Sequence, residues 1–183
     1  GRDNPGLEIQ IVALPSVNNL TRLEDHKSVA VSQPKAGRLT VQKITDYRLH
    51  IAASTDYLDR APPLQSLADL QDHRIVGYIQ DMIFDKELDY LGEAGLARVD
   101  LASISVSVQM NQIRQGSGVG FLHDFALPFF PGLRRVLPAA FGLTRSFYLV
   151  RHADDRRLDR LNRFAARVCD GLRAEVARLE AQA

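Results

Sequence analysis

The stretch QIRQGSGVGFLHDF, residues 112–125, places three glycines at alternate positions between a helical pattern and a strand-like apolar run, residues 119–125. A dinucleotide-binding loop needs the opposite order, strand then helix, because the phosphate is held by free amide groups at a helix start. The order therefore argues against a nucleotide site. Gly116 is predicted to be the left-handed residue just past a helix end. Gly118 and Gly120 are predicted to let the backbone turn tightly into the strand.

The helix before the glycines is predicted to begin at a serine cap, Ser103 or Ser105, and to continue to residue 115. Val106, Met110 and Ile113 recur at helical spacing and are expected on its buried face. The start of such a helix carries unsatisfied amides and the positive end of the helix dipole, which together favour a carboxylate.

Periodicity along the rest of the chain predicts an alternation of strands and helices. A long amphipathic helix over residues 155–179 has Phe164 and Cys169 on its apolar stripe, where Cys169 is expected to be a small buried hydrophobe. A second helix is predicted over residues 82–91. The predicted strands are 7–14, 28–32, 38–44, 47–54, 74–79, 98–102 and 145–152.

Composition and motifs exclude several classes of function. The net charge of +1, from 23 basic and 22 acidic side chains, gives no electrostatic case for direct nucleic-acid binding. The apolar runs are too short to span a membrane, and one cysteine excludes an internal disulfide. Metal-type histidine spacing and a nucleophile elbow are both absent, and His123 and Asp124 are expected on opposite faces of a strand. No catalytic residue, metal or cofactor is predicted.

The two halves of the chain share one order of elements. The paired runs of residues 38–54 look like a counterpart of residues 133–152. Long connections of this kind are what two hinged α/β lobes would need, and such lobes close on ligands held at strand ends and helix N-termini. An α/β protein with two lobes and a binding cleft is therefore predicted.

The order of several segments resembles the effector-sensing C-terminal region of LysR-type transcriptional regulators. The segments are NPGLEIQIV, SVAVSQPKAGRLTVQKI, YRLHIAASTDYL, SLADLQDHRIVGY, VQMNQIRQGSGVGFLHDF and RSFYLVRH. The resemblance implies a fold like type 2 periplasmic binding proteins, with two Rossmann-like lobes joined by two crossing segments. It implies a bacterial, cytoplasmic sensor that forms homodimers or homotetramers, binds a small-molecule effector between its lobes and has no membrane partner.

The resemblance also implies lobe boundaries and missing parts. Residues 1–45 and 146–183 would form the first lobe, and residues 46–145 the second. The first strand and helix of the first lobe, and the winged helix-turn-helix that contacts DNA, are expected to be absent from this chain. A periplasmic-type solute-binding protein for transport shares the fold and is the alternative.

Effector contacts are predicted where strands end and the following helices begin. Each predicted contact has a structural alternative: a serine can simply cap a helix, Tyr78 can pack in the core, and His123 can be a satisfied hydrogen-bonding residue. The helix start favours a small organic acid, to which a protonated histidine is suited. The predicted effector-binding residues are Val31, Ser32, Gln33, Tyr78, Gln80, Ser103, Ser105 and His123.

Overall fold

The computed structural model describes residues 9–14, 39–78, 90–96, 98–152 and 159–183. The predicted strand at 28–32 and most of the predicted helix at 82–91 lie outside these residues. The strands are β1 (Ile9–Leu14), β2 (Leu39–Ser54), β3 (Val76–Gly77), β4 (Leu101–Ala102), β5 (Gly120–His123), β6 (Leu133–Val136) and β7 (Leu143–His152). The helices are α1 (Thr55–Arg60), α2 (Tyr90–Glu93), α3 (Val106–Arg114) and α4 (Asp159–Glu180), with 3₁₀ helices at Leu67–Asp72 and Asp124–Phe129.

The chain divides into two compact units. One comprises residues 1–47 and 144–178, and the other comprises residues 48–143 and 179–183. The chain therefore changes unit within β2 and again at the start of β7. The last five residues belong to the second unit, because Ala183 packs against that unit's apolar core and its carbonyl accepts a hydrogen bond from Arg135 Nη2 at 3.2 Å.

In the first unit, β7 lies between β1 and β2. β1 and β7 are antiparallel, with Ile9 opposite Arg151 and Leu14 opposite Ser146. Helix α4 covers this sheet, burying Ala165 and Cys169 against the side chains of Ile44 and Leu149. No helix within the described ranges is both long and apolar enough to cross a membrane.

The prediction that Phe164 lies on the buried apolar face of α4 is wrong, since Phe164 is 54% exposed. Consecutive helical residues are separated by about 100° around the axis. The face that meets the sheet is centred on Ala165 and Cys169, so Phe164 falls outside it. Burial of Cys169 agrees with its predicted role as a small hydrophobe and raises the pKa of its thiol.

β2 is one strand of 16 residues where the sequence predicts two runs joined at Thr45–Asp46. Asp46 stays within the strand because its carboxylate has partners: Ser146 Oγ donates to it at 2.5 Å, and Lys43 Nζ lies 2.8 Å away. These contacts lower the pKa of the Asp46 carboxyl. The polar pair Thr45–Asp46 therefore lies within the strand, with Asp46 exposed, and does not end it.

In the second unit, two short strands pair with the C-terminal part of β2. β5 is antiparallel to residues 49–52 and β6 to residues 51–54. β3 and β4 are parallel neighbours, and Ile75 forms a parallel bridge with Val119, directly before β5. The core of this unit contains Ala52, Val76, Ile113, Leu122, Ala126, Leu127 and Leu133.

The three glycines have two different structural roles. Gly116 has φ of +80° directly after α3, and its amide donates to the Ile113 carbonyl, as predicted. The predicted tight turn at Gly118 and Gly120 is wrong, because the turn covers residues 115–117 and Gly120 is already the first residue of β5. Both instead allow close approach: a Cβ on Gly118 would lie 2.4 Å from the Arg74 carbonyl oxygen, and one on Gly120 would lie 2.6 Å from Ile113 Cδ1.

Candidate functional site

The candidate site is the edge of the second unit where β3 and β4 end. Gly77 is paired with Ala102, so Tyr78 and Ser103 follow the two strands at the same edge. The Ser103 amide donates to the Gly77 carbonyl at 3.0 Å, which extends the pairing by one residue. Carboxyl ends of parallel strands are the usual place for ligands in α/β proteins.

Helix α3 begins at this edge. Ser105 is its N-cap, and the Ser105 Oγ accepts a hydrogen bond from the Val108 amide at 3.3 Å. Ser103 Oγ accepts from the Ser105 amide at 3.0 Å. Both serine hydroxyls are therefore used in local capping, while the first amides of α3 have no acceptor within the helix itself.

The start of α3 also carries exposed apolar side chains. Ile104 is 61% exposed and Val108 is 44% exposed. Val106, predicted on the buried face, is 39% exposed. Ile113 is buried as predicted, and Met110 packs against the same core. Gln109 is buried as well, and it is tolerated there because its side-chain amide donates to the Ser103 carbonyl at 3.1 Å.

Aromatic side chains line up behind this edge. The ring of Tyr78 lies 6.2 Å from that of Tyr90, and the Tyr90 ring lies 5.5 Å from that of Phe121. Phe121 continues the row to Phe141 at 5.9 Å. Burial raises the pKa of the Tyr78 hydroxyl, so Tyr78 is an uncharged phenol at neutral pH.

His123 is the last residue of β5, the strand that follows the parallel bridge to Ile75. Its ring stacks on Phe125 at a centroid distance of 5.0 Å. Burial lowers the pKa of His123 to about 4, against the opposing effect of the Asp124 charge. At neutral pH the ring is therefore neutral and would offer a ligand a hydrogen bond, not a positive charge.

The structure brings Tyr78, Ser103 and Ser105 to one edge and puts His123 at the end of a strand running in the same direction. The remaining predicted contacts, Val31, Ser32, Gln33 and Gln80, lie outside the described residues.

Sequence reasoning missed a buried side-chain hydrogen bond in this unit, between His50 and Asp124. His50 Nδ1 lies 2.6 Å from Asp124 Oδ1, and Arg135 Nη1 lies 3.6 Å from Asp124 Oδ2. His50 and Asp124 are 74 residues apart, so no local pattern predicts the contact. The signal lies in the register, because His50 on β2 is opposite Leu122 on β5, close to Asp124.

The low pKa of His123 makes stability depend on pH in a defined direction. The unfolded chain takes up a proton near pH 6.5, whereas the folded chain takes it up only near pH 4. Stability present above pH 6.5 is therefore lost as the pH falls toward 4, and at pH 5 the His123 share of the loss is at most about 2 kcal/mol.

This expectation is tested by urea unfolding at pH 7.5 and pH 5.0, with His123→Gln beside the unchanged protein. The neighbouring side chains Asp124 and His50 are common to both proteins. We expect the variant to lose less stability between the two pH values. Equal losses of stability in the two proteins would show that the pKa of His123 is not the cause of the pH dependence.

The model of the family described as the LysR substrate binding domain matches residues 2–173. The regulatory domain of CrgA, a LysR-type transcriptional regulator from Neisseria meningitidis, is 19% identical, with a TM-score of 0.64 over 89% of this chain and 75% of that chain. The regulatory domain of AphB from Vibrio vulnificus is 14% identical, with a TM-score of 0.59 over 90% and 75%.

Full-length AphB, the Vibrio cholerae virulence activator, is 16% identical, with a TM-score of 0.60 over 93% of this chain and 54% of that chain. At these identities the likeness shows the fold alone. Among curated protein sequences, none matches the chain.

Proposed function

The chain belongs to the LysR substrate-binding domain family, and we propose that it senses a small organic acid bound at the edge where β3 and β4 end and α3 begins. The two compact units are then the two lobes of the sensor. The family is one of regulatory domains and not of enzymes, and it does not favour the alternative of a transport protein.

The observation that carries the proposal is the convergence of strand ends and a helix start. β3 and β4 end side by side, and Ser105 caps α3 directly after them. A carboxylate at this point would meet the first amides of α3 and the positive end of its dipole, which contribute about 0.3–1 kcal/mol at a surface and more when partly buried.

The surroundings of the edge support an acid with an apolar body. Ile104 and Val108 present exposed aliphatic surface beside the helix start, and Tyr78 adds a partly buried ring. A neutral His123 adds a hydrogen bond without charge. Specific small-molecule sites combine apolar lining with a few polar groups in this way.

The response would reach DNA through a winged helix-turn-helix outside this chain. Binding of the acid at the edge of β3 and β4 would be the signal that this DNA-binding domain receives. Assembly into homodimers or homotetramers is part of the same proposal.

The proposal is tested by the ligand preference of two variants at one position. Asn and Asp both cap helices about as well as Ser, so Ser105→Asn and Ser105→Asp are expected to fold alike. The aspartate adds a negative charge where the carboxylate would bind. We expect it to weaken acid binding roughly tenfold, as a repulsion of about 1–2 kcal/mol between charges a few ångströms apart would do.

The measurement is a thermal-shift screen of small organic acids, each beside its neutral amide, followed by titration calorimetry of the best acid with both variants. Acids should raise the melting temperature more than their amides do. Equal stabilisation by acids and amides, or equal affinity in the Asn and Asp variants, would exclude a carboxylate at the start of α3.

A further inference from the structure

A cavity lies in the second unit, and none of its lining residues belongs to the edge where β3 and β4 end. It has a volume of about 540 Å³ and is formed between the segment after α1 and the segment from β6 to the following turn. That volume is within the range of about 300–1,000 Å³ typical of small-molecule sites. Its ten lining residues are Leu58, Ala61, Pro62, Pro63, Leu64, Arg134, Arg135, Val136, Leu137 and Pro138.

The walls of this cavity combine apolar proline and leucine side chains with two arginines, and the proline wall is held in place. Pro62 and Pro63 form one side, and the Pro63 carbonyl oxygen lies 3.4 Å from Nε2 of His73. The ring of His73 is itself fixed, because its Nδ1 lies 2.6 Å from the Tyr57 hydroxyl oxygen and the side chain is buried. A wall of this kind loses little freedom when a ligand binds, which favours affinity.

The opposite wall contains an unusual backbone conformation. Leu137 has φ of +51° and is the one residue other than glycine with a positive φ in the part of the chain that the structure describes. Its carbonyl accepts from the amides of Ala140 and Phe141, which closes the turn. Strained backbone of this type costs about 1–3 kcal/mol and occurs preferentially at functional sites.

The charges at the cavity are of one sign. Arg134 and Arg135 both line it, and none of the ten lining residues is acidic. Arg135 is already engaged, with Asp124 at 3.6 Å and the Ala183 carbonyl at 3.2 Å. Arg134 is exposed, and within the described residues no acidic side chain is paired with it.

From these observations we propose that this cavity is a second ligand site, which takes a compact organic anion whose carboxylate pairs with Arg134 and whose apolar body packs on the proline and leucine walls. The planar guanidinium group binds a carboxylate through two parallel hydrogen bonds, so the site would select carboxylates over neutral analogues. This site is independent of the acid site proposed at the start of α3.

The probe is 2-naphthoate, with 2-naphthamide as its neutral counterpart of the same shape. Titration into the ¹⁵N-labelled chain is followed through the backbone amide signals of Leu64 and Leu137 for the cavity, and of Val106 and Ser107 for the edge at α3. We expect naphthoate to shift the cavity signals in a saturable manner and naphthamide to shift them at least fivefold less strongly at the same concentration.

Arg134→Gln should weaken naphthoate binding at the cavity signals by roughly fivefold to tenfold. Arg114→Gln removes another exposed arginine of the same unit, and this variant should bind naphthoate at the cavity as well as the unchanged protein does. Naphthoate shifts confined to Val106 and Ser107 would overturn the second site while supporting the first. Equal shifts from acid and amide, or equal weakening by the two arginine variants, would also overturn it.

Discussion

Asp124→Ala is expected to lower the free energy of unfolding by about 2–4 kcal/mol, because it removes a buried carboxylate together with its hydrogen bond to His50 and its proximity to the charge of Arg135. Asp124 and His50 are 4% and 3% exposed, and their side chains are joined at 2.6 Å. The substitution leaves His50 without its partner and Arg135 without the nearby carboxylate. Since small domains are stable by only about 5–15 kcal/mol, this is a large fraction of the total.

Urea unfolding at pH 7.5 measures the effect. Asp124→Asn keeps an oxygen acceptor facing His50 and should lose less, about 1–3 kcal/mol, so it gives a value even if the alanine variant does not fold. Asp59→Ala changes an exposed aspartate of the same unit and should stay within about 0.5 kcal/mol of the unchanged protein. Equal losses in Asp124→Ala and Asp59→Ala would show that the buried pair adds nothing.

Gly118→Ala is expected to destabilise the second unit by about 2–3 kcal/mol, because the new methyl group would overlap the Arg74 carbonyl oxygen at 2.4 Å. That oxygen cannot move away freely, since it accepts the Val119 amide at 2.8 Å in the parallel contact between two segments. Relief of the overlap therefore requires this backbone contact to lengthen or break.

The matched control is Gly132→Ala. A Cβ at Gly132 would meet nothing within 4 Å, and its φ is outside the left-handed region. At such a position, replacing glycine by alanine leaves the free energy of unfolding unchanged or raises it by up to about 1 kcal/mol, because alanine restricts the unfolded chain. Thermal and urea unfolding of both variants decide the matter, and a Gly118→Ala protein as stable as Gly132→Ala would show that the close approach is relaxed at no cost.

The predicted elements that proved correct are those coded by local chemistry. Ser105, one of the two serines predicted as the cap of α3, and Gly116 as its left-handed end follow from side-chain hydrogen bonding and backbone sterics within a few residues. The burial of Cys169 follows from the helical period of α4. The order of segments was also sufficient to indicate the family that the comparisons show.

The predictions that failed depend on what another part of the chain does at the same place. Gly118 is required because Arg74 approaches it, not because of a turn in its own segment. Val106 and Phe164 have suitable spacing for burial, yet the neighbouring elements do not extend over them. The effector contacts proposed at Ser103, Ser105, Tyr78 and His123 stay a prediction, to be tested by ligand binding.

The sequence by itself determined where α3 begins and ends and the order of segments that identifies the family, because each of these depends on interactions over a few residues or on the order of such segments. The tertiary structure alone decided the His50–Asp124 pair, the closeness of Gly118 to Arg74 and the cavity beside Arg134. Each of these joins residues tens of positions apart, and their contact is fixed only when strand register and packing bring the segments together.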